Sequence, residues 1–241
     1  MPSSAEPVID LNVDLGEGPG EQPLYAWISS ANIACGGHAG DDATMGEAVR
    51  LALSHGVAIG AHPSYPDRSG FGRMTMNVAG AELSRELATQ IASIRRVAEE
   101  LGARVTHVKP HGALYNDAAA RPEIAVAVAD GVAAVSPALL LVGLAGSTAL
   151  EIWRRRGFTI AAEGFADRAY APDRTLLPRS RRGAVITDPQ TAAAQAVRLA
   201  REGHCDTICV HADTPGSATI AAAVRAGLET AGFTVRSLAD R

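Results

Sequence analysis

The chain has 241 residues, of which 47% are hydrophobic and only 4% aromatic, and a formal net charge of -4. That supplies one sizeable core built mainly of Ala, Val, Leu and Ile, and the mild acidity gives no general attraction to nucleic acid or to an anionic membrane. Met1 to Pro7 carries neither a basic nor an apolar run, so no leader peptide is expected and the protein is read as cytoplasmic. Cys35, Cys205 and Cys209 are odd in number and form no C-x-x-C pair, which argues against a disulfide framework or a thiolate zinc site. They read as small buried hydrophobes.

Short apolar strands alternate with longer helical stretches. The first strand, Ile9 to Leu15, places Asp10, Asn12 and Asp14 on one face and Ile9, Leu11, Val13 and Leu15 on the other. Three polar residues are thus aimed into something other than hydrocarbon. After the glycine-rich turn Gly16 to Gly20 come a strand at Ala31 to Cys35, closing on Gly36-Gly37-His38, and a helix over Asp42 to Ser54 that ends at His55-Gly56. A third strand, Val57 to Ala61, closes on His62-Pro63. A loop through Pro66-Asp67-Arg68 and Phe71-Gly72-Arg73 then leads to a long helix over Gly80 to Leu101 and a fourth strand from Val105.

Ile124 to Ala145 is long and apolar enough to raise a membrane span. Gly131, Ser136 and Pro137 instead divide it into a buried helix, Glu123 to Val135, and a strand, Leu139 to Gly143. Ser147 is the expected cap of a helix to Arg156, and a strand follows from Phe158 to Glu163. Gly164 to Gly183 has no periodicity, and such a stretch inside a compact domain is usually functional. Asp188 caps a helix to Glu202, Asp206 to Val210 is a strand closing on His211-Ala212-Asp213, and a helix over Ser217 to Ala231 precedes a short last strand, Thr234 to Leu238.

Seven strong strands, each followed by a helix or a long loop and divided by no linker or repeat, predict a single α/β domain over residues 1–241 with a parallel sheet. Open and closed sheets share that pattern. A closed, TIM-like (β/α)7 barrel is favoured because Asp14, Glu17, His38, His62, Lys109, His111, Glu163, His211 and Asp213 all fall at carboxyl ends of different strands. Those ends meet around one mouth only in a barrel.

Lys109 is the only lysine; all other basic charge is arginine. Period-2 alternation puts His107, Lys109 and His111 on one face, and Pro110 ends the ladder. A lysine amine and imidazoles can be tuned to move protons near neutral pH; the plainer reading is a buried ion pair beside two satisfied histidines. Glu17 also has a plain reading, binding the amides of the glycine-rich turn, and His38 and His62 could be turn contacts. His55 reads as a cap on the last helical carbonyls, and nothing is assigned to His204. No apolar helix opens behind Gly16, Gly18 and Gly20, so no dinucleotide loop is read there, and there is no P-loop. Arg168, Arg174, Arg179, Arg181 and Arg182 crowd the long loop, either as a solvated lid or as a clamp on phosphate or carboxylate.

Several long motifs resemble the LamB/YcsF family: IDLNVDLGE at 9–17, SSANIACGGHAGD at 29–41, GVAIGAHPSYPDR at 56–68, HVKPHGALYN at 107–116, and FADR at 165–168 with LPRS at 177–180. The resemblance runs from Ile9 to Ala231. It departs from the family pattern at Gly36-Gly37-His38, where Gly-Phe-His is common, at His211-Ala212-Asp213, where His-Gly-Asp is usual, and in a shorter segment between Glu202 and Asp206. The resemblance implies a distorted seven-stranded barrel akin to glycoside hydrolase and deacetylase barrels. It also implies the part of the A subunit in a bacterial 5-oxoprolinase, opening 5-oxo-L-proline to L-glutamate with ATP as co-substrate, carried with Mg, and with subunits B and C as partners. No organic cofactor is implied.

Taken together, the residues and the resemblance give a catalytic set of Asp14, Lys109, His111 and Glu163. Lys109 and the loop arginines would stabilise charge on phosphate and carboxylate, and Asp14 or Glu163 would be the general base, with His111 or His62 relaying a proton. Asn12, Glu17, Asn32, His38, His62, Arg168, Arg179, His211 and Asp213 would bind substrate. Lys109→Ala is expected to abolish glutamate formation and leave the fold intact. No catalytic metal is expected. The alternative is a metal-dependent hydrolase or deacetylase on the same barrel, with Asp14, His38, His62 and His211 as ligands, although tight His-x3-His spacing is missing. A third reading is a non-catalytic subunit that presents substrate to its partners. A homo-oligomer is compatible with all three.

Overall fold

Seven parallel strands close on themselves in the computed structural model, which describes residues 7–172 and 175–240. They are β1 (Val8–Leu15), β2 (Ser30–Ala34), β3 (Ala58–His62), β4 (Val105–Val108), β5 (Leu140–Leu144), β6 (Ile160–Phe165) and β7 (Thr207–His211). Each pairs with the next, and β1 pairs with both β2 and β7, which completes the barrel expected from the sequence. The short strand β8 (Thr234–Val235) adds to the start of β1 at Val8 and Ile9. Met1 to Glu6, Asp173, Arg174 and Arg241 lie outside the described residues, so the lid or clamp part expected of Arg174 does too.

The helices are α1 (Asp42–His55), α2 (Gly80–Glu100), α3 (Gly112–Ala120), α4 (Pro122–Val135), α5 (Thr148–Arg155), α6 (Pro189–Glu202) and α7 (Ser217–Thr230). Local chemistry sets their ends. Asp41 accepts from the Thr44 N–H while Thr44 accepts from the Asp41 N–H, a reciprocal cap on α1, and Gly56 closes it in the left-handed region. Asp188 caps α6 by accepting from Thr191. Ser147 holds the cap position of α5, yet its hydroxyl makes no capping bond and is buried without a partner among the described residues. Two pieces have no periodic signal in the sequence. The alanine-rich α3 buries Ala113, Leu114, Tyr115 and Ala118, and a 3-10 turn runs over Gln22–Ala26. Among the described residues no helix is long and apolar enough to cross a membrane.

Alternation along β1 separates two kinds of core. Ile9, Leu11, Val13 and Leu15 are buried outside the barrel wall in one hydrophobic cluster with helix residues such as Leu83, Leu87, Ile91 and Val128. The lumen is polar. At its lower end Asp10 Oδ1 accepts from Ser29 Oγ at 2.7 Å and Ser30 Oγ at 2.6 Å, and Asp10 Oδ2 accepts from the Thr207 hydroxyl. One layer up, Asn12 donates to Thr207 and Glu163, Asn32 donates to Asn12 Oδ1 at 2.8 Å, and His107 Nε2 lies 3.0 Å from Asn32 Oδ1. Most barrels of this class fill the same space with branched aliphatic side chains. Here the side chains of Asp10, Asn12, Asn32 and His107 bond to one another or to neighbouring hydroxyls and carboxylates.

Candidate active site

Lys109 stands on the floor of the mouth, directly beyond the end of β4, and is 2% exposed. Its Nζ donates to Asp14 Oδ1 at 2.8 Å and Asn12 Oδ1 at 3.2 Å and lies 2.9 Å from Glu163 Oε1 and 3.2 Å from Cys209 Sγ. Burial works against the charge, but Asp14 above all, and Glu163 with it, hold the ammonium well above its usual range. Burial likewise opposes the Asp14 carboxylate, and His62 and Lys109 outweigh it to hold that carboxyl well below its usual range. Lys109 is therefore held charged and forms the ion pair of the plainer reading, placed inside the site. Cys209 is likewise more than a small hydrophobe, because its sulfur touches the ammonium.

Above this floor three imidazoles surround Glu17. Nε2 of His38 lies 2.8 Å from Glu17 Oε1, Nδ1 of His111 3.2 Å, and Nε2 of His62 3.6 Å. Burial opposes the Glu17 charge; the surrounding imidazoles, His111 and His38 foremost, push its pKa far down. Burial lowers His38 to about 4, whereas at His62 the carboxylates of Asp14 and Glu17 outweigh burial and raise it. The turn amides, the plain alternative for Glu17, are bound by Glu21 instead, whose carboxylate accepts from the N–H groups of Gly16, Glu17 and Gly18. Phe71 packs roughly perpendicular to the rings of His38 and His111, beside their stack, and holds φ at 55°, a left-handed conformation uncommon for a side chain of this size. That loop can close down because Gly112 has no side chain: a Cβ there would lie 2.6 Å from the Gly72 carbonyl oxygen.

On the other side of the mouth Asp167 organises His211. Its Oδ2 accepts from the His211 N–H at 3.0 Å and from the Thr214 hydroxyl at 2.6 Å, and its Oδ1 lies 2.9 Å from His211 Nδ1. With that nitrogen donating to a carboxylate, Nε2 is the acceptor. Phe165 stacks on the ring. Arg73 and Arg179 converge on Asp213 from two loops, at 2.6 and 2.8 Å, and bridge the rim. The cavity at the mouth measures about 430 Å³, a size suited to a small ligand. Its lining includes Asp14, Glu17, His62, Lys109, His111, Tyr115, Arg168, Arg179, His211 and Asp213.

Most of the residues expected at the mouth are thus brought together, with three corrections. Asn12, Asn32 and Glu163 are buried below the cavity and support Lys109 from beneath rather than lining the cavity. Arg168 lines the cavity, but its guanidinium is spent on its own loop, donating to the carbonyls of Leu177 at 2.7 Å and Ala184 at 3.4 Å. Arg181 and Arg182 are exposed. The suggested metal set does not form one cluster: Glu17, His38, His62 and His111 group together, and Asp14 groups with Cys209 and His211. Sequence reasoning also missed Asp167, Arg73 and Tyr115. Each stands inside or beside a recognised motif, and only the fold shows what it faces.

A closed parallel barrel whose carboxyl mouth gathers a buried ammonium, carboxylates and oriented imidazoles defines a β/α-barrel protein with a charged, imidazole-lined site. The sequence profile of the LamB/YcsF family matches residues 9–241, and the chain belongs to that family. It is similar to the A subunit of 5-oxoprolinase from Heliobacterium modesticaldum, 47% identical over 97% of this chain and 99% of that protein. The 5-oxoprolinase A subunit of Pyrococcus furiosus is 42% identical over 96% and 98%. Among solved structures, the lactam utilization protein from Thermus thermophilus superposes with a TM-score of 0.89 at 40% identity, covering 96% of this chain and 100% of that one. The catalytic domain of a peptidoglycan N-acetylglucosamine deacetylase from Eubacterium rectale, with a TM-score of 0.51 and 9% identity over 98% and 90%, shares the fold alone.

Proposed function

We propose that this chain is the lactam-handling A subunit of an ATP-dependent 5-oxoprolinase and works with subunits B and C in the cytoplasm. The observation that carries the reading is a buried ammonium, Lys109, on the floor of a small cavity, in a chain whose near-full-length relatives bear that name.

A five-membered lactam is a stable amide, so its carbonyl oxygen must first be activated. ATP, carried with Mg, would transfer its γ-phosphoryl group to that exocyclic carbonyl oxygen and leave as ADP. Water then adds at the ring carbon, the carbon–nitrogen bond breaks with its electron pair going to nitrogen, and the nitrogen takes up a proton. The resulting acyl phosphate is hydrolysed by a second water to L-glutamate and phosphate. Lys109 would stabilise the developing oxyanion in a water-poor site. Tyr115, whose hydroxyl is kept protonated by burial and by Glu163 beside it, lines the same cavity as a second donor. Asp14 is held too acidic to be an effective base, and Glu163 lies out of reach below the cavity. His211, oriented by Asp167, suits the task of taking the water proton. Arg179 and Arg73 at the rim suit the substrate carboxylate.

The test is glutamate release from 5-oxo-L-proline and ATP by this chain mixed with subunits B and C, and with each omitted in turn. Release only from the full set is expected. No release from an assembled complex would overturn the reading.

A further inference from the structure

The two buried imidazoles His62 and His111 have their proton positions set from outside the cluster. Nδ1 of His62 lies 2.7 Å from the Lys109 carbonyl oxygen, and Nε2 of His111 lies 3.0 Å from the Phe71 carbonyl oxygen. A carbonyl can only accept, so each of these nitrogens carries its ring's proton. In the neutral rings, His62 Nε2 and His111 Nδ1 are then lone pairs. They face each other at 3.0 Å, and both face Glu17 Oε1, at 3.6 and 3.2 Å. With both rings neutral, three electron-rich atoms converge on one gap. Asp14 Oδ2 stands 3.4 Å from His62 Nε2, on the cavity side.

We propose that His62 Nε2, His111 Nδ1 and Glu17 Oε1 form a binding site for one divalent transition-metal ion of the zinc or cobalt class, its fourth position open to the cavity beside Asp14. Bonds of about 2.0–2.1 Å to a tetrahedral ion separate its ligands by roughly 3.3 Å, and the three observed separations bracket that value. Binding the opposite ring nitrogen to a backbone carbonyl is also how ligating histidines are commonly oriented. The left-handed backbone of Phe71 aims one of the two carbonyls. His38 belongs to the support, not to the ligand set. Its ring is stacked on His111 at 3.6 Å and 3°, so the in-plane lone pairs of the two rings lie in separate parallel planes and do not meet on one ion. It can instead donate Nε2–H to Glu17 Oε1 and fix that carboxylate. A proton is the other possible occupant of the gap, and proton and metal compete for it. The site does not depend on the substrate being a lactam, because its readout is metal binding itself.

The experiment is a titration of the chelator-stripped full chain with Co2+, read by visible ligand-field absorption, alongside elemental analysis of protein purified without chelator. One equivalent of Co2+ with tetrahedral-type bands, displaced by Zn2+, is expected. The bands should vanish in His62→Ala and His111→Ala and persist in His204→Ala, and His38→Ala should weaken binding about 10- to 100-fold. If the alanine variants fail to fold by circular dichroism, Glu17→Gln, which preserves side-chain volume, must lose the bands instead. Absence of a saturable one-equivalent complex in the intact chain would overturn the proposal and leave a proton-sharing imidazole pair. Unchanged binding in a folded ligand variant would overturn it as well.

Discussion

Asp167 holds His211 at two points, the backbone N–H at 3.0 Å and the ring Nδ1 at 2.9 Å, so the carboxylate sets both where the imidazole sits and which nitrogen faces the cavity. Asp167→Asn keeps the volume and removes the charge that fixes the tautomer. Turnover should fall about 10²- to 10⁴-fold with KM little changed. In Asp167→Asn/His211→Ala the losses should be far from additive, because the two act as one unit. A merely structural Asp167 would instead change KM and turnover together without altering the pH profile.

Lys109 is the partner of two buried carboxylates, which bears on the expected behaviour of a Lys109 variant. Removing one partner of a buried ion pair leaves uncompensated charge, a loss of about 3–5 kcal/mol. Lys109→Ala and Lys109→Met should therefore lose both activity and stability, contrary to the expectation that the fold would be untouched. Denaturant titration of the purified chain measures this; a midpoint equal to wild type would show that Asp14 and Glu163 find other partners.

His107 is buried in the lumen, and burial, followed by the Lys109 charge, lowers its pKa from 6.5 to about 4. The unfolded chain therefore binds a proton that the folded chain refuses between those values. Stability should fall as pH drops from about 6.5 to about 4 and then level off, with a contribution of up to about 3 kcal/mol from this one ring. His107→Gln should flatten that part of the stability profile relative to wild type. Equal slopes for the two proteins in that window would exclude His107 as the source.

Gly60 faces the same ring. A Cβ at this position would overlap Nε2 of His107, so Gly60→Ala should destabilise by roughly 1–3 kcal/mol through overpacking. The thermal midpoint is the measurement.

The rim behaves differently. Arg73, Arg179 and Asp213 are partly exposed, and such pairs add about 0–1 kcal/mol to stability. Arg179→Ala should leave the thermal midpoint nearly unchanged while raising KM for an anionic substrate severalfold, and the effect should shrink at high salt. A shift in turnover alone would place Arg179 away from the substrate.

The barrel and the convergence of its mouth were readable because strand alternation and strand ends are local signals. Asp14, His62, Lys109, His111 and His211 follow from them directly. Height within the lumen was not readable: alternation puts Asn12, Asn32 and Glu163 on the inner face, but only the stagger of neighbouring strands places them beneath the cavity. Asp167 and Arg168 sit in an aperiodic loop, where neighbouring residues take opposite tasks. One orients a histidine across the mouth and the other braces its own loop through carbonyl groups that carry no side-chain signature. Similarly, α3 escaped notice because alanine-rich segments bury little area per turn and show no strong stripe.

The polar lumen also has a bearing on how the strands find their alignment. Sliding one strand past its neighbour by two residues preserves which side chains point inward, and between aliphatic layers such a slip exchanges one hydrocarbon contact for another. Here the same slip would move Asn12 away from Asn32, Thr207 and Glu163 and realign Asp10 against Ser29, Ser30 and Thr207. Misaligned closures are penalised layer by layer, so the hydrogen-bonded axis works as a key that admits a single stagger of the seven strands.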